Sequence, residues 1–213
     1  MNNMNPHRTR VKICGLTSVD MALHAVKCGA DAIGLVFYPP SPRYVEVDLA
    51  AQIVAALPAF VSAVGLFVNE DQQVIEDIVK RTNINLLQFH GNECHDYCNS
   101  FEYPYIKAIR MSDDVDVAKQ RRLYHKSHGL LLDTYKPGVP GGTGETFNWQ
   151  RVPQELAGDI ILAGGLTPAN VADAISTVKP YAVDVSGGVE SAKGIKDPEK
   201  ITNFMKGVNS ADL

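Results

Sequence analysis

The chain repeats one pattern eight times along its 213 residues: a short apolar run, then a segment with helical spacing of apolar residues. The runs are rich in Val, Ile and Leu and almost continuously apolar, which is typical of strands buried on both faces of a parallel sheet. The pattern repeats about every 25 residues, the length of a compact βα unit. Eight such units in a row are what a closed (β/α)8 barrel requires. The runs that predict strands are residues 11–14, 32–37, 62–68, 86–90, 105–110, 129–134, 160–165 and 182–188.

Between these runs, the spacing of apolar residues predicts helices. One covers residues 18–30 and ends at Gly29, and another covers residues 71–82. After the seventh strand, Thr167 is the expected N-cap and Pro168 the first helical residue. An open doubly wound sheet is the alternative, but it would need a G-x-G-x-x-G after the first strand, which "CGLTSVD" does not supply. We therefore predict an α/β fold, a single (β/α)8 TIM barrel with a parallel eight-stranded sheet.

Composition narrows the possible partners. Hydrophobic residues make up 45% of the chain, which is enough for a large core and unlike a disordered protein. The formal net charge of −4 argues against a general nucleic-acid binder. The longest apolar stretch, residues 53–68, is too short for a membrane span and is interrupted by Pro58. We therefore expect neither a nucleic-acid nor a membrane partner. We expect the protein to be a monomer.

The chain ends and the cysteines suggest domain bounds and a compartment. Residues 1–10 are polar and lack the apolar stretch of a signal peptide, so they predict a loose tail before a barrel domain of residues 11–213. The four cysteines have no paired spacing, which favours reduced thiols in a cytoplasmic protein.

In such barrels the active site lies at the C-terminal ends of the strands, where this sequence has Cys14 and Asp133. A carboxylic acid and a thiolate on opposite sides of a small substrate can divide proton transfer between them. Cys14 alone would more simply be a small buried apolar residue, whereas an unpaired buried Asp133 would be costly. Together they favour catalysis, and we expect a Cys14 pKa low enough for a useful thiolate fraction near neutral pH.

Further candidates follow the second and fourth strands. Arg43 lies in a loop stiffened by three prolines, where a guanidinium suits a substrate carboxylate; an ordinary surface pair with Glu46 or Asp48 is the alternative. Gln88 and His90 end the fourth strand and are candidate substrate-binding residues.

Two glycine pairs follow the seventh and eighth strands, in "LAGGLTP" and "VSGGVE". Glycines there let backbone N–H groups approach a ligand, and a phosphate site at these two loops recurs in barrels. Tight turns that need glycine for geometry alone are the alternative. The candidate phosphate-binding residues are Gly164, Gly165, Ser186, Gly187 and Gly188, and the expected ligand is a small phosphate ester.

Two other segments have open interpretations. Residues 135–147, rich in glycine and proline, follow Asp133 and could close over a ligand or be an inert loop. Cys94, His95 and Cys98 match no standard zinc spacing, so we interpret them as residues of the fourth helix.

Seven fragments, in order, resemble the phosphoribosylanthranilate isomerase family of tryptophan biosynthesis. They are "KICGLT", "GLVFYPPSPRYV", "LQFHG", "LLLDT", "GGTGETFNW", "LAGGLTPANV" and "VDVSGGVE", and the match runs from residue 11 to about residue 204. The resemblance implies an Amadori rearrangement of N-(5-phosphoribosyl)anthranilate to 1-(2-carboxyphenylamino)-1-deoxyribulose 5-phosphate. It also implies that no metal or organic cofactor is required.

The resemblance assigns roles by position. Asp133 would be the general acid that protonates the ribose ring oxygen, and Cys14 the general base that removes the C2′ proton. Arg43 would hold the anthranilate carboxylate, and the two glycine loops the 5′-phosphate. Family members often carry Asp at positions 92 and 148, where this chain has Asn, and Ser in place of Gly187, which removes one hydroxyl from the phosphate loop.

Two related enzymes and one non-enzymatic function are less favoured. The histidine-pathway isomerase, which carries out the same type of rearrangement, would be expected to use two aspartates, whereas the first strand here ends in a cysteine. Indole-glycerol-phosphate synthase would need a lysine at a strand end; Lys12 is expected to face away from the barrel mouth if Cys14 faces it, and Lys107 stays open. A barrel that only binds a ligand would be expected to have lost the acid or the base.

Overall fold

The computed structural model describes residues 8–134 and 146–211. Residues 1–7 of the predicted tail, residues 135–145 of the predicted closing loop and the last two residues therefore lie outside the described residues. The first strand starts at Arg10, inside the segment expected to be a tail, and Thr9 before it is buried.

Eight parallel strands form a closed barrel in chain order, as predicted. The barrel closes where the first strand pairs with the eighth, with Val11 opposite Val183 and Ile13 opposite Val185. The strands are β1 (Arg10–Cys14), β2 (Ala32–Val36), β3 (Ser62–Phe67), β4 (Leu86–Phe89), β5 (Tyr105–Met111), β6 (Leu130–Thr134), β7 (Ile160–Leu162) and β8 (Ala182–Val185).

Helices surround the barrel, with one departure from the predicted repeat. Between β6 and β7 the described residues form two 3₁₀ helices, Trp149–Arg151 and Gln154–Asp159, where the repeat predicts an α-helix. The α-helices are α1 (Val19–Lys27), α2 (Val47–Ala56), α3 (Gln72–Thr82), α4 (His95–Cys98), α5 (Val117–Leu123), α6 (Val171–Val178) and α7 (Pro198–Ala211). No helix among the described residues is long and apolar enough to cross a membrane.

The start of α6 differs from the sequence expectation. The helix begins at Val171, so Thr167 is not its N-cap and Pro168 is not its first residue. The reason is a local bond pattern: the Asn170 side chain accepts from Thr167 N at 2.8 Å and donates to Gly165 O at 3.0 Å. This pattern holds the preceding residues in a turn, which competes with the helix.

Side chains alternate between two apolar cores. One set points outward and packs against the helices, and the other fills the barrel interior. The interior set is Val64, Ile106, Ala108, Leu131, Ile161, Ala163 and Ala182. The barrel interior is therefore filled by apolar side chains, and the polar side chains at the C-terminal ends of the strands pack on top of this layer.

A hairpin interrupts the connection from β8 to α7. Its strands are β9 (Glu190–Ala192) and β10 (Ile195–Lys196), and they pair antiparallel. The predicted repeat does not include it. The hairpin brings Glu190 and Lys196 to the C-terminal end of the barrel.

Candidate active site

A cavity of about 820 Å³ opens at the C-terminal ends of the strands. This volume lies in the range of small-molecule sites, about 300–1,000 Å³. Every candidate residue from the sequence lines it: Cys14, Arg43, Gln88, His90, Asp133, Gly164, Gly165, Ser186, Gly187 and Gly188.

Cys14 ends β1 with its thiol inside the barrel mouth, and only 4% of the residue is exposed. Its neighbour on β2 is Gly34, which pairs with it in the strand register. A Cβ on Gly34 would lie 2.7 Å from Cys14 Sγ and 3.1 Å from Lys12 Cε. The missing side chain of Gly34 therefore provides the room in which the thiol and the Lys12 chain lie side by side.

The ionisation of Cys14 differs from the sequence expectation. Burial raises the pKa of the thiol, the nearby Lys12 and Lys196 ammonium groups oppose this, and the Asp184 carboxylate adds to it. The net direction is upward, so the expected low pKa is wrong for the ligand-free protein. The sequence does not show that Cys14 would be fully buried or that Asp184 would face it.

Lys12 also lies where the sequence interpretation did not place it. Its Nζ donates to Asp184 Oδ1 at 2.9 Å inside the barrel, and both residues are buried. The expectation that Lys12 faces away from the mouth is wrong, because residues two apart in a strand share a face. Lys107, by contrast, lies on the outer side of β5, where its Nζ is 2.9 Å from Glu93 Oε2.

Asp133 ends β6 as a buried carboxylate held from two sides. Thr134 N donates to its Oδ1 at 2.8 Å, and His90 Nε2 lies 3.3 Å from its Oδ2. Gln88 Nε2 lies 3.0 Å from His90 Nδ1. Gln88, His90 and Asp133 therefore form one buried chain of polar contacts along the cavity wall.

Arg43 has a partner that the sequence does not suggest. Its Nε and Nη2 donate to the two carboxylate oxygens of Glu190 at 2.7 and 2.8 Å. The expected alternatives, Glu46 and Asp48, bond instead to Tyr44 and Arg81. The carboxylate of Glu190 also accepts from Lys196 at 2.7 Å, so it holds two cations at once.

The glycine after Cys14 fixes the course of the Arg43 side chain. Gly15 has a φ of +77°, and a Cβ there would lie 2.6 Å from Arg43 Cδ. Only glycine avoids both the strained backbone and this clash. The guanidinium is thereby held at the cavity wall close to Cys14.

Glu190 is ionised by its two partners. Burial favours its neutral form, but the hydrogen bonds and charges of Arg43 and Lys196 outweigh this and lower the pKa of Glu190. Burial also favours the neutral form of Lys196, which lowers its pKa, although the Glu190 carboxylate opposes this shift. The result is a rigid, charged corner of the cavity.

The loops after β7 and β8 present backbone to the cavity. Gly164 and Gly165 have φ values of +78° and +65°, and a Cβ on Gly188 would lie 1.8 Å from Leu166 O. The Ser186 hydroxyl donates to Cys14 O at 3.0 Å and accepts from Lys196 Nζ at 3.2 Å, so it joins β8 to β1. Two further lysines, Lys193 and Lys200, line the same side of the cavity.

The chain is similar in sequence to isomerases of known family. A family model for N-(5'phosphoribosyl)anthranilate (PRA) isomerase matches residues 11–207. An N-(5'-phosphoribosyl)anthranilate isomerase of Pseudomonas savastanoi pv. phaseolicola is 56% identical over 200 residues, which cover 94% of this chain and 97% of the relative. The chain belongs to the PRA isomerase family. It is therefore an enzyme, an isomerase of tryptophan biosynthesis.

Solved PRA isomerases have the same fold. The enzyme from Thermotoga maritima is 40% identical, with a TM-score of 0.84 over 95% of this chain and 99% of that one. Another PRA isomerase structure, 38% identical with a TM-score of 0.81 over 95% and 99% of the two chains, is a complex with reduced 1-(o-carboxyphenylamino)-1-deoxyribulose 5-phosphate.

In this PRA isomerase family member, three charged residues of the site, Asp184, Glu190 and Lys196, were not predicted from the sequence, and a fourth, Lys12, was predicted to face away from the barrel mouth. Lys12 and Asp184 stand inside apolar strands, at positions with the same parity as Cys14 and Ser186, and that parity was the signal that could have found them. Glu190 and Lys196 meet through the hairpin, and no sequence spacing predicts that contact.

Proposed function

We propose that the enzyme catalyses the Amadori rearrangement of N-(5-phosphoribosyl)anthranilate to 1-(2-carboxyphenylamino)-1-deoxyribulose 5-phosphate. The observation that carries this proposal is the placement of Cys14 and Asp133 on β1 and β6, facing one cavity from opposite parts of the barrel. Family membership supports the reaction, and the complex of a PRA isomerase with a reduced form of this product supports the kind of ligand.

Asp133 acts as the general acid. It protonates the ribose ring oxygen, and the ring opens to a Schiff base. His90 Nε2 lies 3.3 Å from Asp133 Oδ2, and Gln88 Nε2 lies 3.0 Å from His90 Nδ1. These two residues orient the carboxyl group and form a polar wall for the sugar.

Cys14 acts as the general base. Its thiolate removes the C2′ proton and becomes a neutral thiol, and the electron pair of the C–H bond becomes the double bond of an enolamine. The enolamine then tautomerises to the ketone. A thiol whose pKa is raised by burial gives a thiolate that is scarce near neutral pH but strongly basic, which suits a proton bound to carbon.

Substrate binding uses the two ends of the cavity. Glu190 occupies Nε and one N–H of Nη2 in Arg43, so the remaining guanidinium N–H groups take the anthranilate carboxylate. The glycine loops after β7 and β8 take the 5′-phosphate, with Lys193 and Lys200 supplying positive charge. The steps are proton transfers between side chains and substrate and call for no metal or organic cofactor.

The test is turnover of freshly prepared N-(5-phosphoribosyl)anthranilate, followed by loss of its fluorescence. We expect Cys14→Ser and Asp133→Asn each to lower kcat by at least about 100-fold, the usual size of a lost acid or base. Cys28→Ser, at the C-cap of α1, and Asp173→Asn, on α6, are matched controls outside the cavity, and both should keep wild-type rates. A folded wild-type protein without turnover would refute the reaction, and an active Cys14→Ser would refute the assigned base.

We also infer the setting in which the enzyme acts. All four cysteines are free, which favours a reducing compartment such as the cytoplasm. We expect the barrel of residues 11–213 to work as a monomer on a small phosphorylated substrate, since the residues around its own cavity suffice for the proposed mechanism and a partner has no step to supply. Sedimentation equilibrium of the purified enzyme tests the monomer.

A further inference from the structure

A buried ion pair lies next to Cys14, and the proposed reaction does not use it. Lys12 and Asp184 are 5% and 8% exposed, and their side chains meet at 2.9 Å inside the barrel. Buried pairs of this kind are weak evidence for stability, because apolar residues of similar size often stabilise a core as well or better. Their position beside a reactive thiol points to a role in the chemistry.

The geometry places the Lys12 side chain beside the thiol. Lys12 Cε and Cys14 Sγ both lie around the space left by Gly34, at 3.1 and 2.7 Å from the position of its absent Cβ. The two side chains are neighbours on one face of β1, and the residue of β2 beside them, Gly34, has no side chain to separate them.

Several charged groups face Cys14, and Lys12 differs from the rest in its position. Lys196 from β10 and Arg43 from the loop after β2 interact with Cys14 through charge, and Asp184 from β8 does so with the opposite sign. Asp133 and His90 stand on β6 and at the end of β4, on the same cavity. Lys12 differs in its place: it is on the same face of β1 as Cys14, its Cε borders the same space beside Gly34 as the thiol, and it opposes the effect of burial on the thiol more than the other cations do.

We propose that Lys12 is a positioning residue of the isomerase: its ammonium holds the Cys14 side chain as a thiolate when the carbon proton is removed, and Asp184 moderates that effect by sharing the Lys12 charge. The inference rests on the proposed function, in which Cys14 is the base. Lys12 itself touches neither the proton nor the reacting carbon.

The contributions of the pair to Cys14 have opposite signs, and this makes the proposal testable. Removing the Lys12 charge should raise the pKa of Cys14, and removing the Asp184 charge should lower it. A pair that serves only to hold the barrel together would be broken by either substitution, with the same direction of effect. Lys12→Met and Asp184→Asn keep the approximate shape of each side chain while removing its charge.

The measurement is the rate of Cys14 alkylation by iodoacetamide as a function of pH, followed by mass spectrometry of the Cys14 peptide. We expect the pH at which the alkylation rate is half-maximal to rise by about one pH unit or more in Lys12→Met and to fall in Asp184→Asn. The double variant, which leaves no unpaired charge, should fall between wild type and Lys12→Met. It also keeps the test available if Lys12→Met alone does not fold.

Activity gives a second readout. In Lys12→Met we expect kcat near neutral pH to fall by about tenfold or more with KM little changed, since one pKa unit is a factor of ten in thiolate. The rising limb of the pH profile should move to lower pH in Asp184→Asn. Lys107→Met is the matched control, because Lys107 also forms a buried pair with a carboxylate but on the outer side of β5. It should leave the Cys14 titration unchanged.

Two results would overturn the proposal: an unchanged Cys14 titration in Lys12→Met, or shifts of the same direction in Lys12→Met and Asp184→Asn. These failures differ from a failure of the proposed function. The alkylation profile reports the charge on Cys14 whether or not Cys14 is the base, and turnover by Cys14→Ser reports the base whether or not Lys12 acts on it.

Discussion

At the scale of single residues, the acid and the base are held in unlike surroundings. Asp133 receives a backbone N–H and faces His90, so polar donors surround its carboxyl group. Cys14 lies against Gly34 in a buried position, with the Lys12 side chain beside it on the same face of β1. Hydrogen-bond donors therefore hold the Asp133 carboxyl group, whereas the Cys14 thiol is buried among charges of both signs.

The pH profile should report the thiol. Because burial raises the pKa of Cys14 above its ordinary value of 9.0, the thiolate fraction grows throughout the neutral and mildly alkaline range. We expect kcat/KM to increase from about pH 7 and to be still increasing at about pH 9. Steady-state kinetics in buffers of constant ionic strength measure this, and a plateau already near neutral pH would contradict it.

Glu190→Gln should weaken substrate binding and stability together. The substitution leaves the Arg43 and Lys196 charges without their shared carboxylate, and breaking a buried pair in this way costs about 3–5 kcal/mol. We expect a raised KM, because Arg43 is free to move, and a lower unfolding midpoint in urea. Glu199→Gln at the start of α7 removes an exposed carboxylate and should change neither.

The same carboxylate makes the protein sensitive to acid. Its pKa in the folded protein lies below its ordinary value of 4.5, so its interactions stabilise the fold above that value. The contribution is lost as the pH falls from there through the folded pKa. In Glu190→Gln, the unfolding midpoint should therefore depend less on pH in this acidic window.

At the scale of secondary-structure elements, the loop after β7 is the most tightly specified. Gly164 has a φ of +78°, and a Cβ there would lie 2.3 Å from Thr134 Oγ1 and 3.0 Å from Asp133 Oδ1. Gly164→Ala should cost about 1–3 kcal/mol in backbone strain alone and displace the end of β6. We expect a lower melting temperature and a lower kcat.

Gly158→Ala is the matched control for this substitution. Its Cβ would meet nothing within 4 Å, so melting temperature and kcat should stay near wild type. An active, fully stable Gly164→Ala would show that the contact with Asp133 relaxes without consequence.

The elements also show how far the sequence can predict this fold. All eight strands were found, since nearly continuous apolarity is a local property of buried parallel strands. The predicted start of α6 was wrong because a hydrogen bond from Thr167 N to the Asn170 side chain holds these residues in a turn, which overrides the Thr-Pro signal. The β9–β10 hairpin was missed, because two- and three-residue strands carry too few residues for a pattern.

The candidate site follows the same division. Its residues at strand ends could be named from the barrel rule, and the structure brings Cys14, Arg43 and Asp133 to one cavity. The Arg43–Glu190 pair joins residues 147 positions apart, and the Cys14 pKa depends on burial and on charges from β8 and β10. Such long-range contacts are set by closure of the barrel and leave no local trace in the sequence.

At the scale of the whole molecule, the two ends of the barrel have different tasks. The C-terminal end carries the cavity, and the N-terminal end carries bonds that only join strands. Asp31 is an example: its Oδ2 accepts from Val11 N at 2.8 Å and from Arg8 Nη1 at 2.9 Å. It ties the start of β1 to the start of β2 on the side away from the cavity.

Asp31→Ala should therefore separate stability from activity. Loss of these bonds leaves a backbone N–H at a half-buried site and should lower the free energy of unfolding by about 1–3 kcal/mol. We expect kcat and KM to stay at wild-type values at temperatures well below the unfolding midpoint. Chemical denaturation and steady-state assays on the same preparation measure both quantities, and a fall in kcat without unfolding would contradict the division.

Gly34 has a consequence for how this enzyme can evolve. Any heavier residue there places an atom within 2.7 Å of the Cys14 sulfur and within 3.1 Å of the Lys12 chain, so one mutation would damage the base and its neighbouring charge together. We therefore expect a library of variants at position 34 to retain activity with glycine alone, because every other residue places a Cβ against both side chains. The space beside Cys14 is in this sense part of the catalytic apparatus, although no atom of a side chain occupies it.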